Sequence, residues 1–365
     1  MSQKRLRVGV IGADTQASWA GLAHIPAIKA QGTLELAAVA TRREESAREA
    51  AQVFGAERWY GDPYELIRDE TIDIVTVTVK VPAHRELVLA ALAANKAVYC
   101  ESPLGATVAE SEEMAAAARS AHTAIGLQGR FNPSVRRAAQ IIASGKIGRP
   151  LSARVFATTF GFGPQTVSAY EYFDKAASGA NLLTISTGHV LDLVESVLGR
   201  ITEIEARTRL LWPEVEITDL GTSTQREVAD HVDLIAETSS GAVFCAQVAA
   251  GIAQEDARFL FEIRGSQGWL RLEGGHPAGV QAGDLVLTSS AEFEPVDEPV
   301  ATGGWEGAAI NIGEVYASLA RDVISGSFTT PGLEAAAHNS RLIAAVERSA
   351  KSGIRERLSS DNRTL

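Results

Sequence analysis

With 365 residues the chain is long enough for two domains, each burying a core of its own. Its 45% apolar and 22% charged residues are ordinary for a soluble globular protein, and a net charge of -11 argues against non-specific binding to nucleic acid or to an anionic membrane surface. Two distant cysteines, Cys100 and Cys245, show no metal-ligand spacing and fit a reduced, cytoplasmic compartment; no apolar run approaches the roughly 20 residues of a membrane span, and the start KRLR precedes an apolar run too brief for a signal peptide.

The first informative stretch is RLRVGVIGADTQASWAGLAH, from Arg5 to His24. Val8, Val10 and Ile11 predict a buried strand, and Gly12 a tight turn where a phosphate can approach the backbone. The amides of a following helix start would point at that phosphate. Against the dinucleotide fingerprint G-x-G-x-x-G, Gly12 holds the first place, Asp14 the second and Ala17 the third, so the fingerprint is incomplete. A carboxylate at the second place repels a pyrophosphate unless it turns away. An ordinary strand–turn–helix is the alternative. A helix is expected over 18–31 with a bend at Pro26, then a strand over 34–40. Past that strand stand Thr41, Arg42 and Arg43. Arginine there accommodates the 2′-phosphate of NADP, where an acidic residue would grip the 2′-hydroxyl of NAD; NADP is therefore favoured over NAD, with a solvated helix start as the alternative.

Further strands and helices alternate: helix 44–54 closed by Gly55, strand 58–60, helix 63–68, strand 72–79, helix 85–95, strand 97–100, helix 108–121 and a strand reaching Gln128. This alternation predicts a doubly wound parallel sheet over residues 1–130. Val79, Pro82 and His84 follow one strand's carboxyl end, and Glu101 and Ser102 follow the next; ligands of open α/β sheets bind at such ends. After a helix over 133–144, strand patterns dominate: 151–159, 201–211, 232–238, 242–249, 258–265, 268–272 and 285–288. Helices over 314–325 and 333–352 close the chain. Residues 131–365 are thus expected to form an α+β domain around an open, largely antiparallel sheet. Its second face is free for a substrate or another copy, and a dimer or tetramer through that face is expected. Asp230, His231 and Asp233 lack an evident third ligand, and no metal site is expected.

Three segments carry a family resemblance: VGVIGA with HIPAI at 24–28, the run from Ile72 to Gly105, and GANLLTISTGHVLDLVESVLG at 179–199. Together they resemble the glucose–fructose oxidoreductase / inositol dehydrogenase / MocA family over nearly the whole chain. SWAGLAHIPAI, GLQGR and RGSQGWLRLEGG are similar to the branch that contains the fungal galactose-regulon repressor. The resemblance implies a Rossmann domain and hydride transfer between NAD(P) and a sugar, polyol or related carbonyl. The alternative it implies is a catalytically silent dinucleotide-binding sensor.

Gly12, Ala13 and Asp14 in the turn, Thr41, Arg42 and Arg43 past the second strand, and Val79, Pro82 and His84 at a strand end are the cofactor candidates; the resemblance adds Glu101 and Gln128, with a structural role at the domain junction as the alternative for Gln128 and Arg130. Family enzymes carry a lysine in an E-K-P turn; here that place is Ser102, whose hydroxyl hydrogen-bonds a substrate but is a poor base. The family aspartate falls on Thr184, with one extra residue before His189. His189 is the candidate acid/base, since imidazole titrates near neutrality. Asp192, one turn on, together with Arg130, Tyr170 and Tyr172, are substrate candidates. Each has a plainer alternative: a helix histidine bonded to neighbours, a strand-end carboxylate for Glu101, a helix-start residue for His84, aromatic packing for the tyrosines.

Overall fold

A computed structural model describes residues 5–16 and 18–358. Ala17, the third fingerprint position, lies outside the described residues. The chain forms two compact units, one of residues 1–128 with 299–338, the other of 129–298 with 339–365.

The first unit is built on a six-stranded parallel sheet of β1 (Leu6–Ile11), β2 (Leu34–Ala40), β3 (Arg58–Tyr60), β4 (Ile74–Val77), β5 (Ala97–Cys100) and β6 (Thr123–Ile125). The order β3-β2-β1-β4-β5-β6 reverses direction at β1, so the carboxyl ends of β1 and β4 flank the crevice where such sheets take ligands. Every residue of β4 and β5 is buried, which explains their unbroken apolar runs. Helices α1 (Ile25–Lys29), α2 (Glu44–Phe54), α3 (Pro63–Arg68), α4 (His84–Ala93) and α5 (Val108–Ala117) connect the strands. Gly55, at φ +68°, ends α2 as expected. The helix expected over 18–31 is instead a π-helical turn, Ala20–His24, running into the short α1 with Pro26 in its first turn, where a missing N–H costs nothing.

The chain first crosses between the units at 128/129 and returns to the first at 299. The stretch 299–338 belongs to the Rossmann unit, because the helix Ala309–Ser325 packs on α1 and its backbone accepts a side chain there: Gln31 Nε2 donates to Gly313 O at 3.1 Å. Leu333, Ala335, Ala336 and Ala337 join the same core. Apolar periodicity shows that these helices have a buried face; it does not show which sheet receives it.

The second unit carries α6 (Pro133–Ala143), β7 (Pro150–Thr158), β8 (Gln165–Thr166), α7 (Gly188–Leu198), β9 (Ile201–Arg209), β10 (Glu214–Ile217), β11 (Thr222–Gln225), β12 (His231–Thr238), β13 (Val243–Ala249), β14 (Phe259–Gly265), β15 (Trp269–Gly274), β16 (Leu285–Ser289) and β17 (Glu356–Arg357). Eight of them form a mixed sheet, β16-β15-β14-β7-β13-β12-β9-β17, antiparallel throughout except where β13 runs parallel to β7. Strand β12 alternates buried and exposed residues, so one face packs on the core with α6 and α7 and the other is open. The small sheet β11-β10-β8 escaped the sequence reading because its strands are two to four residues long and mostly exposed.

Candidate active site

In the first unit the loop after β1 turns at Gly12, whose φ is +98°. A Cβ there would lie 2.6 Å from the Thr78 carbonyl oxygen, so only glycine lets the backbone pass. The Thr78 hydroxyl donates to Ile11 O at 2.8 Å and pins the ends of β1 and β4 together. Ala13 is fully buried, while Asp14 is exposed. The Asp14 carboxylate accepts the Gln16 N–H at 2.9 Å, so it folds onto its own loop and is partly neutralised by an amide. Past β2, the Thr41 hydroxyl donates to Arg43 O at 2.9 Å and shapes the start of α2; Arg42 and Arg43 are exposed.

Past β4, Pro82 is exposed and Val79 half-buried. His84, only 1% exposed, spends both ring nitrogens on the backbone: Nε2 lies 2.8 Å from Val79 O, and Nδ1 lies 3.0 Å from Pro103 O and 3.2 Å from Leu104 O. Burial lowers its pKa, although the carbonyls pull the other way. This ring braces the loops after β4 and β5 against each other. At the end of β5, Glu101 Oε1 lies 2.9 Å from His24 Nε2, and half-buried Ser102 follows, before a cis bond to Pro103. Gln128 is fully buried, and neither end of its side-chain amide has a partner.

In the second unit the extra residue before His189 has a structural form. Leu183–Thr187 is a π-helical turn leading into α7, which absorbs one residue and keeps the helix beyond it in register. Thr184 lies in that turn and bonds locally: its Oγ1 accepts the Asn181 N–H at 2.9 Å. His189 is 3% exposed and its Nδ1 has no partner. Burial alone pushes its pKa down to about 3, so the ring is neutral at physiological pH. Ser186 and Thr187, which the sequence reading passed over, are also buried, with hydroxyls that lack partners. Three partnerless polar side chains thus fall within four residues. Unmade bonds of this kind cost roughly 1–3 kcal/mol each unless a ligand or water makes them.

Asp192 and Arg130 are brought together as a bidentate pair: Arg130 Nε donates to Asp192 Oδ2 at 2.8 Å, and its Nη2 to Oδ1. Burial works against the Arg130 charge, but the Asp192 carboxylate outweighs it and raises the guanidinium pKa. Asp192 is therefore a neutralised carboxylate beside His189 in the helix. Tyr170 and Tyr172 both pack on Phe173, at ring distances of 5.7 and 4.2 Å. Burial pushes the Tyr172 hydroxyl pKa up. The aromatic loop is anchored through Asp174, which accepts from Arg226 Nε at 2.6 Å; both residues are buried. Among the described residues no three His, Cys, Asp or Glu side chains gather as a metal set, and no helix is long and apolar enough to cross a membrane.

Two family models match the chain: an oxidoreductase family with an NAD-binding Rossmann fold over residues 6–128, and the Gal80p C-terminal domain over 133–274. A dehydrogenase of Aspergillus oryzae, aclE, is 31% identical over 286 residues, covering 74% of this chain and 77% of its own length. The chain belongs to the glucose–fructose oxidoreductase / inositol dehydrogenase / MocA family. The galactose/lactose regulatory protein GAL80 of Saccharomyces cerevisiae is 27% identical over 320 residues, covering 82% of this chain and 73% of its own. A levoglucosan dehydrogenase solved with NADH and L-sorbose superposes with a TM-score of 0.82 at 22% identity, covering 98% of this chain and 100% of that one, and shows that the fold is shared.

Proposed function

We propose that the protein is an NAD(P)-dependent oxidoreductase that transfers hydride to or from a CH–OH carbon of a sugar, polyol or related hydroxy/carbonyl compound. The observation that carries the substrate side is the set Ser186, Thr187 and His189, buried polar groups of which none is satisfied within the protein. A polyhydroxylated compound supplies the donors and acceptors such groups require. The cofactor side rests on the cradle at Gly12, which a Cβ would fill, and on the reversal of strand order between β1 and β4. The nicotinamide carries the hydride when bound. The Gly12–Ala13 backbone would pass the pyrophosphate, and Glu101 and Gln128 would meet the ribose and nicotinamide end. Arg42 and Arg43 are exposed beyond β2 and would take a 2′-phosphate, which favours NADP.

In oxidation His189 would take the proton of the substrate hydroxyl, and in reduction it would return it. Burial keeps the ring unprotonated but also weakens it as a base. Negative charge growing on the substrate oxygen offsets the desolvation penalty and raises the ring's proton affinity as the reaction proceeds. Ser102 and Thr184 would position substrate hydroxyls, and Asp192 paired to Arg130 fixes the helix that presents His189. The test is absorbance of reduced nicotinamide over a panel of sugars, polyols and their oxidised forms with both cofactors, with His189→Ala as control. Failure to bind either dinucleotide refutes the reading. Tight binding with no turnover across the panel favours a silent sensor, the reading that Ser102 and the Gal80p-type C-terminal match support.

Two copies would pair through the open sheet face. There Ile235 opposes Cys245, which opposes Arg154, which opposes Glu262, so one row carries an apolar end and both charge signs. Ile235 is 63% exposed and Val243 48%. Sedimentation of a dimer that Ile235→Lys dissociates supports this pairing; a wild-type monomer at micromolar concentration refutes it.

A further inference from the structure

The carboxylate at the end of β5 is held by a chain of buried side chains from three separate parts of the sequence. Glu101 Oε1 lies 2.9 Å from His24 Nε2; His24 Nδ1 lies 2.9 Å from the Tyr316 hydroxyl; that hydroxyl lies 2.8 Å from Thr76 Oγ1. His24, Thr76 and Tyr316 are all fully buried. Tyr99 and Tyr316 enclose the imidazole edge-on at 5.0 and 5.7 Å. On its other side the carboxylate lies flat against Gly126, where a Cβ would come within 2.7 Å of Oε1 and 2.8 Å of Oε2.

We infer that His24 is a positioning residue for dinucleotide binding: oriented by Tyr316 and Thr76 with its Nε2–H toward Glu101, it holds that carboxylate in place as an acceptor at the end of β5. The inference rests on the dinucleotide-binding reading above. Its logic is a count of protons. A carboxylate is acceptor-only, so the hydrogen between Glu101 and His24 sits on Nε2. Nδ1 then has only a lone pair and needs a donor, which is the Tyr316 hydroxyl. Tyr316 oxygen in turn accepts from Thr76. Every bond runs in one direction toward the carboxylate, and the second oxygen, Oε2, stays available to accept a ligand hydroxyl. Ribose hydroxyls are donors of that kind, and Glu101 is 14% exposed at its side chain, enough to be reached. The aromatic walls exclude water that would otherwise compete for the imidazole.

The test uses full-length protein and NADH and NADPH as probes, with dissociation constants read from nicotinamide fluorescence. His24→Gln keeps a donor at the Nε2 position; His24→Leu keeps bulk and removes it. Charge-assisted bonds of this type make a loss of about tenfold or more the expectation for His24→Leu toward both dinucleotides, with His24→Gln restored to within about threefold of wild type. Gly126→Ala, which displaces the carboxylate without touching His24, should lose affinity like His24→Leu. Melting temperatures confirm that each variant is folded. In nitrogen-15 spectra of the ligand-free protein, His24 should show a protonated Nε2 and an unprotonated Nδ1, and Tyr316→Phe should shift the Nδ1 resonance. Equal affinity of His24→Leu and wild type overturns the positioning role, as does His24→Gln binding no better than His24→Leu, or a protonated Nδ1 in the wild type. Wild-type protein that binds neither dinucleotide overturns the underlying reading instead, whatever the spectra show.

Discussion

His24 and His189 are both withdrawn from water, one in each unit, and their surroundings are opposite. Both nitrogens of His24 have partners at 2.9 Å and the ring is walled by tyrosines. His189 has a partnerless Nδ1 beside two partnerless hydroxyls. A buried histidine whose bonds are all made inside the protein holds other groups in place. One whose bonds are unmade is poised for something that arrives. Composition cannot separate the two, since both look like lone histidines on apolar faces. The bonding pattern separates them: the first is fully bonded within the protein, and the second has an unbonded ring nitrogen, which is why the proposal above gives it the proton transfer.

The strongest way to break this contrast is His189→Gln. If the ring moves the substrate proton, kcat falls by about 100-fold or more while NADPH affinity stays within about twofold, read by absorbance and fluorescence on one preparation. If turnover survives, His189 is as architectural as His24 and the comparison collapses. Next in size is Gly12→Val. A branched side chain at φ +98°, with its Cβ 2.6 Å from Thr78 O, must displace the β1/β4 loop ends. Cofactor affinity should drop by at least about tenfold, with a lowered melting temperature. An unchanged affinity would place the cofactor elsewhere. Arg42→Ala is gentler and sharper: a loss of about tenfold for NADPH and none for NADH tests the NADP preference. Equal losses for both would assign Arg42 to general charge attraction.

Much of this layout was legible in the sequence. Strands 34–40, 58–60 and 97–100 and helices 44–54, 63–68 and 333–352 fall where patterning puts them, because apolar runs and apolar periodicity bounded by Gly, Pro and Asp leave strong local signals. The glycine turn was legible by motif, while Glu101 and His189 were singled out by resemblance. The π-helical turn was only half legible: one extra residue before His189 could be counted, but not that it would leave Ser186 and Thr187 buried without partners. Tyr316 as the partner of His24, and Thr76 as the partner of Tyr316, were not legible at all. The first pair lies 292 residues apart, and no periodicity encodes a contact of that range. The same non-locality hid the return of 299–338 to the first unit.

The smallest expected effect discriminates the two histidines without any substrate. Burial holds the His189 pKa at about 3, against 6.5 for an unperturbed ring. On acidification the unfolded chain therefore takes a proton that the folded chain refuses. The stability this residue contributes is complete above about pH 6.5 and is lost progressively as pH falls toward 3. The slope from one such group is at most about 1.4 kcal/mol per pH unit. Between pH 6.5 and 4.5, His189→Gln should thus lose melting temperature more slowly than wild type by a few degrees. His84, whose pKa burial also lowers, contributes with the same sign in both proteins and cancels from the difference. Parallel melting curves for variant and wild type would mean that His189 gains a proton partner in solution, and its place as the unmet member of the pair would pass to Ser186 and Thr187.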